Sequence, residues 1–234
     1  MSMTPIPTDY KDIRFRSKLE AKWAVFFDAC RIKWQYELQP FDLGGGLSYL
    51  PDFFLPELST WLEVKPTAHL AGDDLAKAVG FQEALSLKNR GREWSHSDGG
   101  PPYEDYYILA GEPYATISPY HEYEFQYLAV PGRWYGAPKR NAVDDVASHW
   151  THCPLCGRVD LVCGYCGFLS CQWCDVLDRR TEPGPRSVPG AYFHKGGVFC
   201  PLPYPYMSPQ LVNAYRAARA AFRFTPNGGR HVRR

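Results

Sequence analysis

The hydrophobic pattern of the first 66 residues predicts a helix followed by three strands. From residue 15 to residue 30 the apolar positions recur at spacings of three and four, which is the period of one helix face. Residues 32–43 and 47–55 are rich in strand-forming side chains, and the three glycines between them predict a turn. A third, short strand is expected in the sequence STWLEVK, which begins at Ser59. Residues 1–12 show no such pattern and are expected to form a loose lead-in.

The pattern farther along the chain predicts two more helices and two more strands. Residues 70–90 are expected to be helical, and the strands are expected at 105–111 and 114–120. The aromatic and proline-rich segment 119–140 predicts no clear element. A last helix is expected after Ser208, because a serine suits the N-cap and a proline follows it at the first helical position. The apolar stripe of this helix consists of Leu211, Tyr215, Ala218 and Phe222.

This order of elements predicts an α+β fold, in which helices flank a mixed central sheet in an α/β/α arrangement. The strands lie too close together in sequence for a doubly wound fold, which alternates strands with helices. The chain has 234 residues, of which 45% are hydrophobic, so it can bury a sizeable core and hold a small additional module. We expect a large domain at residues 10–145, a cysteine-rich module at 146–180, and a proline-rich linker with a basic helix and tail at 181–234.

Charge is informative only near the C-terminus, since the formal net charge of the chain is +1. From residue 208 onward the sequence contains six arginines and no acidic residue. Three of them, Arg216, Arg219 and Arg223, recur at helical spacing away from the apolar stripe. This basic surface is compatible with an anionic polymer as partner and equally with a solvated helix face.

No part of the sequence resembles a signal peptide or a membrane span. The first residues, MSMTPIPTDYKDIRFRSK, lack an apolar run, and no stretch approaches the roughly 18 apolar residues that a membrane helix needs. We therefore expect a cytoplasmic protein that does not bind a membrane. In that setting eight cysteines are typical of metal ligands rather than of disulfides.

Six of the cysteines form three CxxC pairs between residues 153 and 174. Because two CxxC turns complete a tetrahedral Zn²⁺ site, we expect four of the six to hold one structural zinc. Cys153 and Cys156 would form one half of the site, and the other half is either Cys163 with Cys166 or Cys171 with Cys174. A bridged two-zinc cluster is also compatible with the spacing, as is a second site using His152, His194 or Cys200. Nucleic-acid contact, protein docking and support of the larger domain all remain open as roles of this module.

Acidic residues in the strand region form a second candidate metal site. Alternation along STWLEVK puts Glu63 and Lys65 on one strand face, where such a pair alone is usually a surface ion pair. Asp52, however, interrupts an apolar segment in which an acid has no packing reason, and an adjacent strand can place it beside Glu63. Carboxylate oxygens are the ligands that Mg²⁺ prefers, and a nearby lysine can orient a metal-bound water or neutralise charge on a phosphate. Glu20 in the first helix is a candidate third acid, although a solvated helix position explains it equally well.

Four short motifs occur here in one order. They are S-x-L-E at 17–20, W-x-Y-E at 34–37, P-D-F-x-L-P at 51–56 and E-V-K at 63–65. In this order and at these separations they resemble the PD-(D/E)XK nuclease superfamily. Within it the sequence looks most like the phage endonuclease I type of Holliday-junction resolvase and related transposase endonuclease subunits. The resemblance is clear over residues 14–66 and looser up to residue 120.

The resemblance implies a restriction-endonuclease-like fold and a DNA endonuclease that hydrolyses phosphodiester bonds with Mg²⁺ or Mn²⁺. Relatives of this type cut branched or junction DNA and act as dimers, and a homodimer is compatible with this chain. By similarity, the metal ligands are Glu20, Asp52, Glu63 and the Val64 carbonyl, and the catalytic lysine is Lys65. Outside the stretch that carries the resemblance, the helical spacing of Arg216, Arg219 and Arg223 makes them the candidates for DNA-backbone contacts. Pro66 stands where many relatives have glycine, which leaves the approach of DNA at this strand exit open.

Two other functions are compatible with the sequence. The chain could be a non-catalytic, zinc-containing DNA-binding or scaffold protein on an inert nuclease fold, or a repair or recombination exonuclease that needs DNA ends. The intact set of three acids and one lysine favours an enzyme over the inert protein. The pathway does not follow from the sequence, since recombination, defence, phage replication and mobile-element movement all use such nucleases.

Overall fold

The computed structural model describes residues 5–67, 70–89, 104–113 and 208–222 with their side chains, together with Trp150 and Val159. Between residues 115 and 199 it otherwise describes the backbone of eight strands. The helices are α1 (Lys18–Ala29), α2 (Gly72–Lys88) and α3 (Pro209–Ala220). The strands up to residue 110 are β1 (Thr8–Tyr10), β2 (Ile13–Phe15), β3 (Gln35–Tyr36), β4 (Phe41–Asp42), β5 (Ser48–Tyr49), β6 (Phe53–Leu55), β7 (Thr60–Lys65) and β8 (Asp105–Ala110). The later strands are β9 (Ala115–Ile117), β10 (Tyr123–Phe125), β11 (Leu128–Trp134), β12 (Ala137–Val146), β13 (Ser148–His152), β14 (Val159–Cys163), β15 (Tyr192–His194) and β16 (Gly197–Phe199).

A mixed six-stranded sheet forms the centre of the described fold, with the strand order β12-β11-β8-β7-β6-β3. Strands β7 and β8 are parallel, and the other neighbours in this sheet are antiparallel. The predicted α+β class with a mixed sheet is thereby confirmed. The pairing of β6 with β7 sets Phe53 opposite Leu62, so the next residues outward are Asp52 and Glu63. The register of two neighbouring strands thus brings two distant acids together.

Apolar side chains pack on both faces of the sheet. Alternate residues of β7 enter different cores, since Leu62 and Val64 belong to one cluster and Trp61 belongs to the other. The first cluster contains the buried faces of α1 and α3, and the second contains the buried face of α2. Strand β7 is therefore buried between two helical layers, which explains its apolar residues Trp61, Leu62 and Val64.

Helix α1 forms where the apolar periodicity predicted it, and its N-terminus is fixed by a serine cap. The Ser17 hydroxyl accepts a hydrogen bond from the Glu20 backbone N–H at 3.1 Å, which satisfies one of the free donors of the first turn. The face that contains Trp23, Phe26 and Phe27 is completely buried. Cys30 packs against the same cluster, and burial raises the pKa of its thiol to about 12.

Two segments differ from the expectations. The predicted loose lead-in includes β1, the first strand of the β1–β2 hairpin, and the hairpin turn has both Lys11 and Asp12 in the left-handed region that two-residue hairpin turns require. The segment 119–140, which predicts no element, includes β10, β11 and the start of β12. The pairing of β11 with β12 has a register shift between Pro131 and Arg133. Because proline has no N–H to donate to a neighbouring strand, a proline in the sequence argues against a strand, and β11 is therefore not predicted.

Helix α3 packs on α1, although the sequence analysis assigned it to a segment outside the large domain. Its Ser208 cap accepts the Leu211 N–H at 3.1 Å, as expected. The Tyr215 ring lies 4.6 Å from the Phe26 ring, centroid to centroid, in the first core. The C-terminal helix is therefore part of the core that supports the sheet. None of the helices in the described part of the chain is long and apolar enough to span a membrane.

Candidate active site

Three acidic side chains from separate chain segments are buried around the ends of β6 and β7. Glu20 lies in the first turn of α1, Asp52 precedes β6, and Glu63 lies within β7. All three are buried, and Asp52 is only 2% exposed. Lys65, two residues beyond Glu63 on the same strand face, lies at the edge of this cluster. The four residues that the sequence analysis selected thus lie at one place.

Asp52 is the most deeply buried acid of the cluster. One carboxylate oxygen accepts the Val64 backbone N–H at 2.7 Å, and the other binds the guanidinium of Arg16 at 2.5 Å. Burial raises the pKa of Asp52 well above its ordinary value of 3.8, and the nearby carboxylates of Glu63 and Glu20 raise it further. The two donors only partly offset this rise. Both neighbouring acids therefore act directly on Asp52.

The Val64 carbonyl, the fourth expected ligand, lies on the same side of β7 as Asp52. In an antiparallel pair the N–H and C=O of one residue face the same neighbouring strand. Because the Val64 N–H reaches the Asp52 carboxylate, the carbonyl of the same residue faces that side as well. The backbone of β7 thus offers an oxygen next to the acids.

Glu20 is held by three donors. Its carboxylate accepts the Ser17 hydroxyl at 2.6 Å, the Tyr36 hydroxyl at 2.5 Å and the Arg16 backbone N–H at 3.1 Å. In a capping box the acid at the third helical position accepts a backbone N–H from the start of the helix, and Glu20 accepts the N–H of Arg16 in a similar way. Glu20 therefore has a structural role at the helix N-terminus, and its carboxylate is at the same time fixed near Asp52.

Glu63 is oriented by a pair of buried tyrosines that the sequence reasoning missed. The Tyr49 hydroxyl donates to Glu63 at 2.7 Å and lies 2.5 Å from the Tyr106 hydroxyl. Burial raises the pKa of Glu63 above its ordinary value of 4.5, while Lys65 and the Tyr49 hydrogen bond oppose this rise. Tyr49 lies within the strand segment predicted before Asp52, but nothing in its sequence position indicates a contact with the parallel strand β8.

Lys65 contacts two acids. Its ammonium group lies 3.1 Å from a Glu63 oxygen and 2.8 Å from an Asp74 oxygen in the first turn of α2. Burial lowers the pKa of Lys65, but the two carboxylates outweigh it and the net shift is upward. Lys65 is therefore protonated at neutral pH and donates to both carboxylates.

The donor set fits a hard divalent cation, because carboxylate and carbonyl oxygens are what Mg²⁺ and Mn²⁺ prefer. Among the residues that the structure describes, no three acidic, histidine or cysteine side chains already have the arrangement of a metal site. The oxygens of two of the acids are already bound by other groups: Arg16 binds one oxygen of Asp52, and Lys65 and Tyr49 bind the oxygens of Glu63. A cation would have to replace some of these donors.

The raised acid pKa values predict a specific pH dependence of stability in the protein kept free of divalent cations. A group whose pKa is higher in the folded state stabilises the fold below its ordinary value and loses that contribution as the pH rises through the raised value. From about pH 4 upward, the free energy of unfolding of the wild type should therefore fall relative to that of Asp52→Asn. Denaturant titrations with a chelator across this range measure the difference. A difference that stays constant with pH would contradict the raised pKa of Asp52.

The other predicted site residues are described less fully. Arg216 and Arg219 are exposed on α3, whereas Arg223 lies outside the described residues. Of the six candidate zinc ligands, Cys163 is described only as backbone, at the end of β14 opposite Ser148. The remaining five lie outside the described residues: Cys153, Cys156, Cys166, Cys171 and Cys174. The zinc site and the arginine contacts with DNA stay predictions.

Comparison with known proteins returned no relatives. No protein-family model, no curated protein and no solved structure matches the chain. The resemblance to the nuclease superfamily therefore stays a prediction from the four sequence motifs.

Proposed function

We propose that the protein is a divalent-metal-dependent DNA endonuclease of the PD-(D/E)XK type. The main support is the cluster of three buried acids with a lysine at its edge. Its residues lie in motifs that are separated in the sequence and come together in the fold. The order of those motifs is the order found in that superfamily, and the mixed sheet between helical layers is compatible with its fold.

The burial of Asp52 and Glu63 is itself an argument for function. Taking a carboxylate out of water costs free energy, and here one acid increases that cost for the other. A protein that used these positions only for packing would be more stable with neutral side chains there. Strongly shifted pKa values in a cluster of acids are typical of sites that bind a cation or perform acid–base chemistry.

Each residue of the cluster has a definite role under this proposal. Asp52, Glu63 and the Val64 carbonyl would hold the cation, with Glu20 as the additional acid. The bound cation would polarise a phosphate oxygen and lower the pKa of a water molecule. The Lys65 ammonium, held by Glu63 and Asp74, would donate to the phosphate or to the attacking water. Tyr49 keeps the Glu63 carboxylate in one orientation.

The wider context of the proposed enzyme comes from the sequence. The exposed arginines of α3 would contact phosphates of the DNA backbone, which positions DNA without reading its sequence. The cysteine module would hold structural zinc. Selectivity for branched DNA and action as a homodimer follow from the resemblance to junction-resolving enzymes.

The proposed function is tested with a panel of labelled substrates: supercoiled plasmid, linear duplex, single strand, flap and four-way junction, each with Mg²⁺ or Mn²⁺. We expect the wild type to cut at least one substrate that has no free end, which an exonuclease cannot do. Glu63→Gln should lose this cleavage. The matched control, Glu57→Gln, changes an acid between β6 and β7 that is paired with the exposed Lys33, and it should cut normally.

Two results would contradict the proposal. If no substrate in the panel is cut with either metal, the non-catalytic DNA-binding protein becomes the better account. If Glu63→Gln and Glu57→Gln cut equally well, any nuclease activity resides elsewhere in the chain.

A further inference from the structure

Arg16 is a residue of the site that none of the sequence motifs includes. It lies between β2 and Ser17, the N-cap of α1. Its backbone N–H donates to the Glu20 carboxylate at 3.1 Å and to the Tyr36 hydroxyl at 3.2 Å. Its backbone is thereby fixed beside the acid cluster, and only its side chain is free to change partners.

The Arg16 guanidinium lies at the border between the acid cluster and solvent. Its Nη2 binds the buried carboxylate of Asp52, and its Nε binds Glu37 at 2.7 Å. The Arg16 side chain is 54% exposed although the Asp52 side chain is only 2% exposed. One edge of the guanidinium therefore faces the acids while a large part of the group faces water.

Arg16 holds the oxygen that a cation would need. The other oxygen of Asp52 already accepts the Val64 N–H, which belongs to the sheet. The charge of Arg16 also acts on Glu63, the second acid of the pair. A cation held by Asp52 and Glu63 would thus compete with the guanidinium for the Asp52 oxygen that Arg16 binds.

Glu37 gives Arg16 a second partner that does not depend on Asp52. The Glu37 backbone has a φ of 47°, in the left-handed region, and its N–H donates to the Asp52 carbonyl at 2.9 Å. Non-glycine residues adopt this conformation at a cost and only where their surroundings fix it. Glu37 is therefore held at the edge of the site, where its carboxylate keeps the Arg16 Nε in place.

We propose that Arg16 exchanges Asp52 for a phosphate of the DNA when a divalent cation enters the site. Arg16 would release the Asp52 oxygen that a cation needs, its Nε would stay on Glu37, and its freed Nη2 would be available to bind a phosphate. A guanidinium suits this role because its planar fork binds carboxylates and phosphates with the same geometry. The inference depends on the proposed function, and it adds that cation binding prepares a phosphate-binding group.

The test uses the full-length protein and compares Arg16→Gln with Arg14→Gln. Arg14 lies two residues before Arg16, on β2, and pairs with the exposed Asp9, so its loss removes one nearby charge without changing the acid cluster. Cation affinity is measured by calorimetry with Mg²⁺ alone at alkaline pH, where protons do not compete. DNA affinity is measured by fluorescence anisotropy of a labelled four-way junction with Ca²⁺, which favours binding over cleavage.

We expect Arg16→Gln to bind Mg²⁺ about fivefold more tightly, the effect of removing one half-exposed competing charge. The same variant should bind junction DNA about fivefold more weakly, or worse, while Arg14→Gln matches the wild type in both measurements. Arg16→Lys keeps the charge but not the fork, so it should bind Mg²⁺ like the wild type and DNA more weakly.

Unchanged or weaker Mg²⁺ binding by Arg16→Gln would overturn the exchange, as would unchanged DNA binding. If the wild type cuts DNA and binds Mg²⁺ but the variant shows either result, only this inference fails. If the wild type binds no divalent cation at all, the inference and the proposed function fail together.

Discussion

Asp52→Asn is expected to reduce DNA cleavage by roughly a hundredfold to a thousandfold, because under the proposed function it removes one direct cation ligand and with it several kcal/mol of transition-state stabilisation. The same substitution should leave the protein at least as stable as the wild type at neutral pH without metal. Asn keeps an oxygen that can accept the Val64 N–H while removing a buried charge near two other acids. Cleavage rates and denaturant unfolding of the same preparation measure both effects.

The combination of the two results makes this prediction specific. If Asp52 only supported the fold, its substitution would lower the cleavage rate and the free energy of unfolding together. Asp73→Asn, an exposed acid in the first turn of α2, serves as the control and should change neither quantity. Cleavage by Asp52→Asn at the wild-type rate would contradict the assignment of Asp52 as a ligand. A marked loss of stability would show that its bond with Arg16 outweighs the cost of burial.

Phe27→Ala is expected to lower the free energy of unfolding by about 3–5 kcal/mol, which is a large part of the stability of a typical domain. Phe27 is completely buried between α1 and the sheet. Its ring lies against four other aromatic rings, at centroid distances of 5.3 to 6.0 Å: Trp23, Phe26, Phe53 and Trp150. An alanine leaves a cavity that these rigid rings fill poorly.

The matched control for Phe27→Ala is Leu87→Ala, since Leu87 is a large apolar residue on helix α2 that is 58% exposed. Its loss should change the free energy of unfolding by less than about 0.5 kcal/mol. Chemical denaturation monitored by tryptophan fluorescence compares the two. A cost below about 1 kcal/mol for Phe27→Ala would mean that the packing of α1 on the sheet is looser than the structure indicates.

The sequence predicts the positions of the clustered acids and Lys65 better than it predicts the residues around them. Strand alternation puts Glu63 and Lys65 on one face, and β7 has this arrangement. The placement of Asp52 beside Glu63 also follows, since adjacent antiparallel strands bring nearby sequence together. Both relations join residues that are close in sequence, so the alternation of side chains along a strand is enough to predict them.

The partners of the acids are harder to predict because they arrive through tertiary packing. Tyr106 reaches the cluster only through the parallel pairing of β8 with β7, which joins strands 40 residues apart. Arg16 precedes the first motif and belongs to no hydrophobic pattern. Its contact with Asp52 depends on how the chain turns from β2 into α1, which the sequence pattern does not predict. From the sequence, Asp74 is an ordinary acid in the first turn of α2, where acids stabilise a helix. Its contact with Lys65 is known only from the structure.

Glu20 illustrates how one residue supports two interpretations. Its hydrogen bond to Ser17 explains its presence by helix capping, and its influence on Asp52 places it in the acid cluster. The two roles are compatible, because the cap fixes the position of the carboxylate that the cluster uses.

The central claim, that Asp52 and Glu63 hold one divalent cation, is tested most directly by crystals soaked in Mn²⁺ and measured at a wavelength where manganese scatters anomalously. We predict an anomalous peak about 2 Å from carboxylate oxygens of both residues, with the Arg16 guanidinium no longer on Asp52. A well-resolved map with Asp52 still bound to Arg16 and no peak between the two acids would contradict it.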